Sequence, residues 1–249
     1  MTKRMPDLCV YCNTASGITH DHVIAKVFFT KPMPPMMATV PACPACQDAK
    51  AQDDMDFRDL LVLDPQALCH PVAAALRNGA FVRSAGYGSS RVMKDIETHS
   101  RPDPDPPPGS LAYGDPRILS VMGDLPIRTL SRITRGLFYY TTKGKRLPTD
   151  LNFSIGRLED ERVDDIWQWM LARDANGPAG YATLFETVFR LMPPDGHRGV
   201  WVMRWYGGIG FAVDVYLCGE QPTEMIRCFH ILRFAFPRNG TGYRARVVA

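Results

Sequence analysis

Two Cys-x-x-Cys pairs, Cys9/Cys12 and Cys43/Cys46, constrain this chain more than any other feature. Each pair presents two sulfurs from one tight turn. Two such turns brought together supply four soft ligands in a tetrahedron, which is what a closed structural zinc site requires. The competing reading is a pair of disulfides or of buried thiols. Two matched pairs among only seven cysteines favour the metal. The cysteine count is odd, and the N-terminal stretch MTKRMPDLCVYC has no apolar signal core. Both features predict a reducing, cytoplasmic setting with metal-bound or free thiols.

Between the pairs lies Asp21-His22-Val23-Ile24. CVYC, DHVIA and VPACPACQ, then Lys50 and DDMDFR, follow one another in the order and spacing of the HNH endonuclease family, which the first quarter of the chain resembles. The resemblance implies a ββα-metal module pinned by zinc on Cys9, Cys12, Cys43 and Cys46. It implies metal-dependent hydrolysis of phosphodiester bonds, with His22 as general base. Asp21 would bind a catalytic divalent cation such as Mg²⁺. Gln47 stands where the family has Asn and would offer the same amide oxygen on a longer stem, with Asp48 or Asp54 as substitutes. Lys50 would contact the scissile phosphate. Thr39 lies near the position of the family's middle Asn.

The chemistry suits these residue types. Hydrolysis of a phosphodiester needs an activated water, neutralised phosphoryl oxygens and help for the leaving oxygen, and a hard divalent cation serves the last two needs. An imidazole with an ordinary pKa of ~6.5 suits a general base near neutrality. In a regular strand Asp21 and His22 point to opposite faces, so the strand is expected to end or twist there. His20 shares the face of His22 and is the rival base.

The chain has 249 residues, 45% of them hydrophobic, which is enough for a substantial core and excludes a mostly disordered protein. Residues 1–64 carry six basic and eight acidic side chains, and residues 65–249 carry 23 and 18. A nuclease must approach a polyanion, so the later part supplies the attraction. Double-stranded DNA is the expected partner, although charge does not separate it from RNA. No apolar run is long enough to cross a bilayer without interruption. The best candidate, residues 200–218, contains Arg204 and Asp214.

The expected architecture is α+β, divided into a zinc-stapled module (1–64), a helical and Pro-rich linker (65–112) and a mixed helix and antiparallel-sheet domain (113–249). Pro44 suits the first turn of a helix running to about Leu61, with Gln47, Lys50 and Asp54 on one face and Phe57, Leu60 and Leu61 packed inward. Residues 66–83 read as a helix interrupted by Pro71, and RPDPDPPPG (101–109) as a stiff linker. Residues 125–140 form an amphipathic helix with Leu130, Ile133 and Leu137 inward. Arg128, Arg132 and Arg135 line another face and continue into Lys143, Lys145 and Arg146. This basic stripe is either a nucleic-acid contact or a solvated surface. Helices are expected over 160–173 and 180–192. A hairpin turning at Gly207-Gly208 and a further strand over 225–236 follow, with Cys218, Cys228 and His230 as sheet residues. The chain is therefore read as an HNH-type endonuclease. The runner-up is a zinc-stapled nucleic-acid-binding module that has lost cleavage, favoured by Gln47 and the missing middle Asn. A zinc-dependent protein-interaction module comes third.

Overall fold

The computed structural model describes residues 7–67, 69–86, 91–102, 117–120, 124–158, 160–172, 176–181, 184–192, 196–217 and 233–235. A short strand β1 (Thr19–His22) pairs antiparallel with β2 (Thr39–Ala42), and α1 (Pro44–Leu63) follows at once. Proline at the first helical position needs no amide hydrogen, so Pro44 starts α1 directly after an extended Cys43. At the other end Asp64 returns to extended backbone ahead of Pro65, a residue that disfavours helix before it. The Pro-rich loop lies between β1 and β2.

The chain continues through α2 (Pro71–Leu76), α3 (Val82–Gly86), α4 (Arg91–His99), β3 (Ser100–Pro102), β4 (Arg117–Ser120) and α5 (Leu125–Thr141). It then enters β5 (Leu151–Arg157), α6 (Asp160–Leu171), β6 (Asn176–Tyr181), β7 (Phe185–Met192), β8 (Arg198–Trp205) and β9 (Ile209–Leu217), with β10 (Arg233–Ala235) last. Five of these strands form an antiparallel sheet in the order β5-β9-β8-β7-β6, and β10, β4 and β3 form a smaller one. The molecule is thus mixed α and β with antiparallel sheets, and no helix among the described residues is long and apolar enough to cross a membrane.

The central strands bury both faces, which is why VWVMRWY and IGFAVDVYL read as nearly continuous apolar runs. Alternate residues go to different cores. Trp201, Met203, Trp205, Phe211 and Val213 join the larger core. Val200, Val202 and Ala212 pack on the opposite face with Val163, Ile166, Trp167 and Met170 of α6. The larger core does not stop at the N-terminal module. It includes Val10, Val23, Ile24, Phe28, Val40, Phe57 and Leu61, so residues from the first and last sequence segments share one interior. An aromatic cluster makes the junction, with Phe57 ring centroids 6.0 Å from Trp205 and 5.7 Å from Phe211, and Phe28 4.7 Å from Trp205. Arg157 adds a buried ion pair from the sheet to Asp64 at 3.1 Å.

Three expectations need correction. Residues 185–192 are strand, not helix. FETVFRLM alternates Phe185, Thr187 and Phe189 with Glu186, Val188 and Arg190, a period of two that tertiary pairing with β8 enforces. The hairpin turn is centred one residue earlier, with Tyr206 and Gly207 taking positive φ of 48° and 77°. The last strand pairs with β4 and not with the central sheet. Residues 225–232 lie outside the described residues, as do Cys218, Cys228, His230 and most of the Pro-rich linker.

Phe57→Ala is expected to cost about 3–5 kcal/mol, because the cavity opens where module and sheet meet. Urea unfolding followed by tryptophan emission and by far-ultraviolet circular dichroism should shift as one transition. Separate transitions would mean that the two cores are independent.

Candidate metal centre and the polar cluster beside it

The two cysteine turns meet. The sulfurs of Cys9, Cys12, Cys43 and Cys46 all lie within 4.8 Å of one another. The first turn is closed by Asn13 N–H donating to Cys9 O at 2.9 Å, with Asn13 at a positive φ of 55°. Cys9 N–H also donates to Ala15 O at 2.8 Å, and Val10 N–H ties the turn to Pro41 O at 3.0 Å. The second turn is the start of α1, where Gln47 N–H donates to Cys43 O at 3.0 Å. The first pair thus rests on β2, and β2 delivers the second pair.

The thiols do not favour a common charge state. Burial pushes Cys9 up. Burial and then the neighbouring thiols push Cys46 up strongly. Burial works the same way on Cys12, but hydrogen bonds from the Thr14 side chain and the Ala15 and Thr14 backbone outweigh it and lower that thiol to about 6. Four thiolates so close together need a cation between them. The donor set is all soft sulfur and can hold a metal ion such as zinc.

A buried polar cluster adjoins the metal centre. Tyr11, inside the first cysteine pair, donates its hydroxyl to Asp21 Oδ2 at 2.7 Å. Lys50 is only 1% exposed. Its ammonium lies 2.5 Å from Asp54 Oδ2, 3.1 Å from His22 O and 3.4 Å from Asp21 Oδ2. Burial raises the Asp54 carboxyl to about 6 against the attraction of Lys50, and its Oδ1 is buried without a hydrogen-bond partner. Lys50 therefore holds β1 onto α1 and is not presented to a phosphate.

His22 is the last residue of β1 and sits directly opposite Thr39 across the ladder. The strand ends there, so the backbone turns after Asp21 and His22 have pointed to opposite faces. Burial lowers the imidazole pKa, and Lys26 adds to this against the opposing charge of Asp21. His22 is thus neutral near pH 7, with its Nδ1 buried and unbonded. His20 is exposed on the same strand. Gln47 lies one turn before Lys50 on the same helix face, half-buried, while Asp48 is exposed.

The basic residues separate into two groups. Arg128 and Arg132 both bind Asp53 of α1, and Arg132 is the closer at 2.5 Å. Arg135 is 9% exposed and donates to Leu147 O and Pro148 O, each at 2.9 Å. Arg146 lies over Tyr139 and 3.5 Å from Asp7. Lys143 and Lys145 are exposed.

Two residues escaped the sequence reading. Tyr11 carried a weak signal, its place inside the first cysteine pair. Asp53 carried none, since its partners are 75 and 79 positions away. Comparison with known protein families, curated proteins and solved structures found no match.

Protein purified without chelator should contain a single thiolate-bound metal ion, and Cys43→Ser should lose it and loosen residues 9–63. Elemental analysis with proteolysis tests this, and a metal-free protein with the module fully protected would overturn it. Asp54 makes a separate prediction. Its folded pKa is raised, so its contribution to stability is complete below the ordinary carboxyl range and is lost as pH rises through about 6. Carboxyl ¹³C NMR should show Asp54 titrating near that pH.

Proposed function

We propose that residues 9–63 form an HNH-type, metal-dependent nuclease module that acts on DNA. Zinc on Cys9, Cys12, Cys43 and Cys46 is its structural pin, and the α+β remainder serves in binding or targeting. The observation that best supports this reading is the sequence of parts. A two-stranded ladder ends at a neutral, half-buried His22, and a helix follows whose first turn belongs to a four-sulfur cluster. The resemblance of CVYC, DHVIA and VPACPACQ to the family assigns the roles.

In this reading the His22 imidazole accepts the proton of the attacking water. Tyr11 and Lys50 both engage Asp21 Oδ2, and among the described residues nothing bonds its Oδ1. That oxygen, with the Gln47 amide oxygen, would hold a divalent cation, whose chemistry is to neutralise the phosphoryl oxygens and assist the leaving oxygen. Lys50 positions Asp21 and does not touch phosphate. Lys143 and Lys145, both exposed, form the surface for the DNA backbone.

One observation favours a second reading, a module that binds nucleic acid without cutting it. The Lys50 ammonium already sits among Asp21, Asp54 and His22 O, where it supplies the positive charge that two acids require.

One experiment separates the two. Plasmid nicking with Mg²⁺ or Mn²⁺ should be abolished by EDTA and fall about 10²–10⁴-fold in His22→Ala with zinc retained. The acid limb of its pH profile should lie below the ordinary imidazole value of 6.5, because the His22 pKa is lowered. Gln47→Ala should raise the metal concentration needed. A wild type that binds DNA, yet is inert with every metal and on RNA, would establish the second reading.

A further inference from the structure

On the face of the central sheet away from the metal centre, α6 does not cover the strands completely. A groove of about 520 Å³ opens between them, within the size range of small-molecule sites. Its helix wall is one stripe of α6, with Arg162, Ile166 and Trp169 at successive turns. Its floor is Arg190 and Met192 of β7 and Val200 of β8, where Arg190 and Val200 are cross-strand partners. Met170 completes the apolar part, and Asp165 stands at the edge.

Two features distinguish this groove from an imperfectly packed surface. Trp169 is 41% exposed, whereas Trp167, Trp201 and Trp205 are 4%, 0% and 0% exposed. A helix that buries Trp167 into the sheet thus leaves part of its second indole exposed along the groove. The second feature is charge. Arg58, Arg128, Arg132, Arg157 and Arg204 each meet a carboxylate. Arg162 and Arg190, both exposed, have no hydrogen-bond or ion-pair partner among the described residues.

We propose that this groove binds a nucleotide unit, a flat base carrying phosphate. The base stacks on Trp169 over the Met170, Met192 and Val200 floor, and Arg162 and Arg190 take the phosphate. Aromatic stacking tolerates any base because every base has a π face. Guanidinium groups match phosphate with paired hydrogen bonds. Asp165 repels phosphate and so directs it toward the arginines, while its oxygens can accept from a base amine. The unit is either a free mononucleotide or one nucleotide of an unpaired strand.

The test uses the full chain and reads binding alone, so an absence of cleavage at His22 does not affect it. Adenosine monophosphate should quench tryptophan emission saturably, because Trp169 is the exposed indole among four. Equilibrium dialysis should give the same affinity. Arg162→Ala with Arg190→Ala should raise Kd at least ~10-fold, the effect expected when charge-assisted bonds are removed. Adenosine should bind more weakly than its monophosphate. Trp169→Leu should lose both the quench and the dialysis signal, with circular dichroism unchanged. A short unpaired oligothymidylate that binds more tightly than the monophosphate, with the same residue dependence, supports the proposal and makes a strand the source. The reverse order supports it with a free nucleotide as source. Failure of both probes at millimolar concentration overturns it. So does a double variant that binds like wild type, or a triglutamate peptide that competes as well as the monophosphate.

Discussion

Four sulfur atoms within 4.8 Å of one another impose the geometry on which the N-terminal module depends. A chain that brings Cys9 and Cys12 to Cys43 and Cys46 must run out and return. The return strand, β2, is the segment that pairs with β1 and leads into α1. Register, strand ends and the start of the helix are therefore set by one cluster. So small a module has little core of its own, and ion binding of this kind is largely folding free energy. The cluster also reaches beyond its ligands. Tyr11 sits between Cys9 and Cys12, and its hydroxyl fixes Asp21.

The polar cluster is a second constraint, and it works through cost. A buried ammonium beside two carboxylates gains little over an apolar replacement, yet removing one partner leaves an uncompensated charge and costs about 3–5 kcal/mol. Lys50, Asp54 and Asp21 are thus held as a set. Their arrangement fixes where the end of β1 lies against α1, and with it the backbone of His22, whose carbonyl Lys50 also bonds. One ammonium thus ties two acids and the last backbone carbonyl of β1 together.

The C-terminal sheet supports the module more than it stands apart from it. Phe57 and Phe28 enter the aromatic cluster of Trp205 and Phe211, while Asp53 on the same helix carries Arg128 and Arg132 of α5. Gly136 of α5 packs so closely on the module that an added Cβ would lie 2.9 Å from Val23 Cγ1. Helix α1 is therefore braced on one side by apolar stacking and on another by ion pairs. The opposite face of the sheet is left for α6 and the groove beside it.

Local patterns settled what is local. The spacing of the cysteines, the proline at the start of α1, the break at the Pro-rich loop and the apolar stripe of α5 are all legible in order along the chain, because each rests on contacts a few residues apart. The apolar runs of β8 and β9 likewise announce a strand buried on both faces. Tertiary structure decided the rest. Residues 185–192 have a helical look in isolation and become strand because β8 supplies ladder partners. Lys50 reads as a phosphate contact until β1 and α1 close over it. Arg128 and Arg132 read as a free basic stripe until Asp53, far away in sequence, pairs with both and Asp124 adds a second partner to Arg128. Charge and burial are properties of the assembled neighbourhood, so a sequence shows which residues carry charge, and only the fold decides which of those charges remain available.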